Sequence, residues 1–424
     1  MRTPAEKERD DLVRKVCLVG LQRIREKRFD DAVIAFQAAL ELKPEYADAY
    51  NDLGTAHQLA GRVDEAMAAY GHALRIDPDH PKAWSNVGAA HMQRNEPLRA
   101  IAAYERAIAL NRHNARIRTN LAFARLLMGD LLAGWRHYEA RWAAGLTGVK
   151  RIGKRKPWLG GRSIHGRTIL ICNEQGLGDM MQFARFVPLV VALGAKVHLE
   201  APPPLIRIFQ ASFPGVEAVH STEGPVPECD EICTVPSLAL AFETELHTIP
   251  SDVPYLRPPA GAHPFLPART SGVPRIGLAW SGFAGHTNDA NRSIPFERFR
   301  MIPDGIPLQF ICLQKEIRKR DEADLAASGV PSFTDRIGDF ADTAGLIGEV
   351  DLVIAVDTSI AHLAGAMGRP TWVLLPHVPD WRWMLERADC PWYPTMRLFR
   401  QPRAGDWEAV FGEVLKALGT WAAR

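Results

Sequence analysis

Small and large apolar positions return every 34 residues along the first third of the chain, the period of stacked helical hairpins. In residues 47–80 an aromatic stands at the fourth position (Tyr50), with Leu53 and Gly54 at the seventh and eighth. Ala66, Tyr70 and Ala73 follow at the twentieth, twenty-fourth and twenty-seventh, and Pro78 at the thirty-second. One period later come Trp84, Val87, Gly88, Ala100, Tyr104 and Ala107; one period earlier come Val16, Val19, Gly20, Ala32, Phe36, Ala39 and Pro44. Small residues let two antiparallel helices approach, large ones fill the groove, and proline ends the second helix. The spacing predicts helix pairs over 13–46, 47–80 and 81–114. A degenerate pair over 115–148 has Ala122 and Gly134 where the pattern wants glycine and alanine. Its aromatic tail, Trp135 to Trp142, reads as a cap for the last repeat. His57 and His91 share one repeat position and are expected to serve structure or line the groove, not to bind metal.

From residue 168 the pattern changes to short β-rich runs alternating with helices. Strands are predicted at 169–172, 196–200 and 231–234, with helices near 180–192, 204–212 and 237–246. Seven prolines between Pro250 and Pro274 mark a linker. A second set follows: strands at 275–280, 308–313, 352–356 and 371–375, helices near 295–302, 315–327, 340–348 and 359–367. The alternation predicts two parallel-sheet, Rossmann-like domains, 168–249 and 275–424, joined by 250–274. Such sheets bind ligands at the carboxyl ends of their strands. Between repeats and sheets, the junction 149–167 carries Lys150, Arg151, Lys154, Arg155, Lys156, Arg162 and Arg167 without an acid. A solvated junction is the favoured reading of this run, an anion site the alternative.

Composition narrows the classes of partner. The 424 residues hold 51 Lys plus Arg against 49 Asp plus Glu, a formal charge of +2, which gives no reason to expect nucleic acid. No apolar run reaches the roughly 20 residues of a membrane span, and the N-terminus is too charged for a signal peptide. Six scattered cysteines form no C-x-x-C pair, so neither zinc nor disulfides are expected. These features predict a cytoplasmic protein, with peripheral attachment at the inner membrane as an alternative.

Candidate chemistry lies in the loops after strands. Gln175-Gly176-Leu177-Gly178-Asp179 follows the first strand; its glycines permit a tight turn, and Asp179 stands at a helix start. Glu200, 22 residues after Gly178, suggests a dinucleotide fold, but Met181 replaces the third glycine of that motif. In the second half, 352–356 ends in Asp357-Thr358-Ser359, with His362 one turn on. Small hydroxylated residues at a helix start offer backbone N–H groups to a phosphate. A long Gly/Asn-rich loop, 281–293, carries Arg292.

Together the 34-residue units resemble tetratricopeptide repeats. The block from about 168 to 400 resembles the heptosyltransferase-type glycosyltransferases (glycosyltransferase family nine), in the subgroup with N-terminal repeats. The matching segments are 174–179, 277–282, 357–362, 379–383 and 392–394. This resemblance implies a repeat solenoid followed by a GT-B module of two Rossmann-like domains. It implies a nucleotide-sugar donor on the C-terminal half, the acceptor on the N-terminal half, anomeric inversion and no essential metal or other cofactor. Asp179 is then the implied general base, acting with His362. Asp357, Thr358, Ser359, Ser281, Gly282, Arg292 and Glu316 are implied donor contacts, and Gln175, Gly176 and Gly178 form the acceptor-side loop. Ser359 stands where the family usually has glycine, and Arg292 takes the place of a family lysine. The architecture is also similar to protein O-GlcNAc transferases, whose repeats present a polypeptide. The expected function is therefore an inverting, metal-independent glycosyltransferase, with a polypeptide or glycan acceptor and a protein partner held by the repeats. No Asp-x-Asp occurs after residue 150 to suggest a metal-dependent transferase. The alternatives are a non-catalytic repeat scaffold with a degenerate nucleotide site, and a sugar-nucleotide epimerase.

Overall fold

A computed structural model describes residues 3–147, 155–261, 266 and 269–423, in two units that divide after Leu146. The first unit is four helix pairs: α1 (Pro4–Arg25) with α2 (Phe29–Leu42), α3 (Ala47–Leu59) with α4 (Val63–Ile76), α5 (Pro81–Gln93) with α6 (Pro97–Leu110), and α7 (Ala115–Leu127) with α8 (Leu131–Tyr138). The repeated glycine explains the pairing. A Cβ on Gly20, Gly54 or Gly88 would lie 2.7, 2.5 or 2.6 Å from the ring of Phe36, Tyr70 or Tyr104 on the partner helix. The fourth pair inverts the device. Its glycine, Gly134, is on the second helix, where a Cβ would meet Leu126 at 2.5 Å. Tyr138 packs edge-on against Phe123 and Trp135. His57 accepts from Arg62 and His91 pairs with Glu96, so both histidines bind the turn that follows their helix.

The second unit contains two wholly parallel sheets. β1 (Thr168–Cys172), β2 (Lys196–Ala201), β3 (Ala218–Ser221) and β4 (Glu231–Thr234) are arranged β3-β2-β1-β4. β5 (Arg275–Ala279), β6 (Gln309–Cys312), β7 (Leu352–Val356), β8 (Thr371–Leu375) and β9 (Met396–Arg400) are arranged β6-β5-β7-β8-β9. In each sheet the chain leaves the first strand in one direction and returns to its other side. This creates a switch point at β1/β4 and another at β5/β7, where ligands bind in such folds.

Several expected elements change. β3 and β9 were not anticipated, and neither was the closing helix Trp407–Ala422, whose Val410, Phe411, Val414 and Leu418 complete the second core. The helix expected over 315–327 starts only at Glu322, and that over 237–246 shrinks to Leu238–Ala241. In the linker, Tyr255 and Leu256 donate to the Ala366 carbonyl, tying its first part to the second half. Lys150, Arg151 and Lys154 lie outside the described residues. Arg162 and Arg167 of the same run both pair with buried Glu231, and Trp158 donates to the Ile232 carbonyl, so this part of the junction is bound along β4.

Candidate functional site

A cleft of about 440 Å³ opens at the carboxyl ends of β5, β6 and β7. Ser281 to Ala284 contribute from the loop after β5, Leu313 to Arg318 from the loop after β6, and Thr358 to Ile360 from the turn after β7. Leu177 and Pro204 reach it from the first half. Five of the seven expected donor contacts, Ser281, Gly282, Glu316, Thr358 and Ser359, therefore line one cavity.

The loop over 281–293 is held from within. Gln314 Oε1 accepts from the backbone N–H of Trp280 and Ser281, and its amide donates to Ser281 Oγ, stapling the ends of β5 and β6. Gly282 N–H donates to Ser293 Oγ, which donates to Asp289; Arg318 donates to Asp289 and to the Gly282 carbonyl. Arg292 threads between Gly282 and the turn after β7, donating to the Asp357 carbonyl at 3.0 Å. A Cβ on Gly282 would lie 2.8 Å from that guanidinium, so the glycine is needed for the passage. Thr358 ends in extended geometry before the helix Ser359–Ala366, whose first N–H groups carry the positive end of the helix dipole. A cation and a helix start thus converge at the switch point.

The predicted catalytic residues are placed differently. His362 is 4% exposed, its Nδ1 is 2.9 Å from the Tyr393 hydroxyl, and its ring stacks on Trp383. A Cβ on Gly178 would lie 2.8 Å from this ring, so His362 fills the seam between the halves and does not line the cleft. Burial, with Arg185 and Arg292 adding to it, lowers its pKa to about 3, which keeps it neutral. Asp179 is the third residue of α9 (Leu177–Phe183). Its Oδ2 accepts from Gly176 N–H at 3.0 Å, and its Oδ1 pairs with Arg382. Gln175, before that turn, has φ +69°, a strained conformation for a non-glycine residue of a kind that clusters at functional sites. Glu200 is 2% exposed and accepts from Asn173 N–H, turned inward and away from the role a dinucleotide fold would give it.

Sequence reasoning gave no role to the turn after β8. There Arg382 donates to Asp380 at 2.6 Å, to Gln182 at 2.6 Å and to Asp179, joining the two halves. Burial pushes the Asp357 carboxyl above the ordinary range against the pull of Arg292, Trp383 and His286. Burial and the Asp357 charge push Asp380 up to about 7. The signal was the run Asp380-Trp381-Arg382-Trp383, in which charges interleave with tryptophans. Arg185, fully buried, donates to the carbonyls of Gln182, Pro250 and Trp392 and to the Tyr255 hydroxyl, beneath the same seam.

Comparison with known proteins agrees with the first unit's geometry. Residues 23–90 and 81–114 match tetratricopeptide repeat families, so this segment consists of tetratricopeptide repeats. Protein FlbA of Caulobacter vibrioides is 30% identical over 328 residues, covering 70% of this chain and 54% of that protein. The match is too long to be confined to the repeats, and the chain spans about half the length of this curated relative. Among solved structures, MamA aligns over 31% of this chain and 78% of its own, at 20% identity and TM-score 0.29. The Yersinia enterocolitica chaperone SycD, with a peptide of the translocator YopD, aligns over 27% and 94%, at 20% identity and TM-score 0.26.

Proposed function

We propose that the second unit is an inverting, metal-independent glycosyltransferase that holds a nucleotide-sugar in the cleft, and that the repeats present a polypeptide or glycan acceptor. The observation that carries this reading is the convergence of Arg292 and the Thr358–Ser359 helix start at the β5/β7 switch point. As the glycosidic bond breaks, negative charge grows on the leaving phosphate. Fixed N–H dipoles and a guanidinium stabilise that charge without reorganising. Glu316, at the cleft wall, suits a ribose hydroxyl, and the apolar Leu313, Ile317 and Phe340 suit a base. His362 is assigned a supporting part, fixing the helix from below, because its ring is committed to Tyr393 and Trp383. The tetratricopeptide repeats support a protein partner, since stacked repeats of this class generally offer an extended surface to another chain.

Release of free nucleotide from ADP-, UDP-, GDP- and dTDP-sugars tests the reading. At least one donor should be turned over, undiminished by EDTA, and Arg292→Gln should slow it by roughly 10²-fold, as expected for loss of one charge-stabilising donor. Activity abolished by EDTA and restored by Mg²⁺ would contradict the metal-free scheme. Donor binding without any turnover would favour the scaffold alternative.

A further inference from the structure

We propose that Phe283, in the loop after β5, is the stacking platform on which the base of the nucleotide-sugar lies. The inference rests on the nucleotide-sugar reading and adds to it the residue that grips the base. Phe283 lines the cleft, and it is 76% exposed, more than any other large apolar side chain among the described residues. Single apolar side chains on an open surface are ordinary. A bare aromatic ring on a cavity wall is different, because it offers a flat ligand a contact that the chain itself leaves uncovered. The same cavity is lined by Ile317 and Phe340, so a base lying on Phe283 stays within an apolar setting.

Strand order decides which part of the ligand the ring meets. The strands run β6-β5-β7, so the loop after β5 stands between the loop after β6 and the turn after β7. The phosphate is assigned to Thr358 and Ser359 at the β7 end, and the ribose to Glu316 at the β6 end. A nucleotide laid between them crosses the loop after β5, where Phe283 directly follows the glycine that Arg292 passes. The ring is also held ready. Its loop is fixed at the root, where Gly282 N–H donates to Ser293 Oγ and Arg318 donates to the Gly282 carbonyl. Beyond Phe283 the chain turns back at once: His286 N–H donates to the Phe283 carbonyl at 3.1 Å, and Asn288 N–H donates to His286 Nδ1 at 3.1 Å. The ring packs over Gly285, where a Cβ would lie 2.6 Å from it. A ring seated on backbone has little freedom left to lose, so the stacking gain is kept as affinity. Every base has a π-face, so the platform serves whichever base the cleft accepts.

The test is titration calorimetry of the full chain with ADP, UDP, GDP, dTDP and inorganic pyrophosphate, which has the charge of the ligand but no base. At least one nucleotide should bind wild type more tightly than pyrophosphate does. Phe283→Ala should weaken that nucleotide roughly 5–100-fold, the loss expected for one base–aromatic stack, and leave pyrophosphate unchanged. Phe283→Tyr should restore the nucleotide's affinity, whereas Phe283→Leu, which keeps apolar bulk without a π-face, should restore it only in part. The ring is exposed, so none of these changes opens a cavity, and urea midpoints should coincide. A nucleotide held as tightly by Phe283→Ala as by wild type would overturn the platform and leave the nucleotide cleft standing. Equal weakening of nucleotide and pyrophosphate would also overturn it, because the loop then acts on the phosphates alone. A wild type that binds none of the four nucleotides counts against the nucleotide-sugar reading and against Phe283 with it.

Discussion

His362 and Asp380 place opposite pH dependences in one seam. Burial lowers the folded-state pKa of His362 to about 3, below its ordinary 6.5. Its share of stability is therefore fully present above about pH 6.5 and is lost as pH falls below that value, by about 1.4 kcal/mol per pH unit. Asp380 is raised to about 7 from 3.8, so its contribution is present below pH 3.8 and is lost as pH rises through 7. Between these ordinary values the two slopes oppose each other. Replacing His362 with Gln removes one of them. The difference in unfolding free energy between wild type and His362→Gln should grow by about 1.4 kcal/mol per pH unit from pH 4.5 to 6.5. Urea melts at three pH values measure it, and parallel profiles would show that His362 does not stay neutral in the fold. At this scale the sequence announced Asp357, Thr358 and Ser359, because polar residues closing an apolar strand stand out. It did not announce that Arg382 meets Asp179, since the pairing joins positions 203 residues apart and depends on how the two halves pack.

At the level of elements, the helix pairs were legible because each glycine and its ring recur at a fixed interval. Gly54 has no room for a methyl group beneath Tyr70, whereas at Gly71, on the same hairpin, a methyl group would meet nothing within 4 Å. Gly54→Ala should destabilise the repeats by about 1–3 kcal/mol through overpacking. Gly71→Ala, inside α4, should stabilise them by about 0.5–1 kcal/mol through helix propensity. Chemical denaturation of the two variants reads this contrast, and equal effects would mean that Gly54 is not a contact point. The inverted fourth pair shows the limit of periodicity: Gly134 and Leu126 preserve the close approach while breaking the pattern that announces it. The unanticipated strands were hidden for a different reason. β3 is half-exposed along its length, and β9 interleaves Arg397 and Arg400 with its apolar residues; both lie at sheet edges, where polar positions dilute the apolar signal. The helix expected from residue 315 begins late because 314–318 instead form the cleft wall, with Gln314 stapled across to Ser281.

Across the whole molecule, no described helix is long and apolar enough to cross a membrane, and charge is nearly balanced, so recognition rests on local sites. Two units with separate cores are expected to unfold in separate steps. A ligand bound in the cleft should then stabilise only the second, by about 2.7 kcal/mol at 100 times its dissociation constant. Differential scanning calorimetry of the full chain with ADP, UDP, GDP and dTDP is the most direct test, because Gly54→Ala identifies the repeats' transition by lowering it. One nucleotide should raise the other transition, and Ser359→Glu, which places a negative charge at the helix start, should abolish the rise. A rise that survives Ser359→Glu, a rise in the repeats' transition, or no response to any of the four nucleotides would contradict a nucleotide-binding cleft at the β5/β7 switch point.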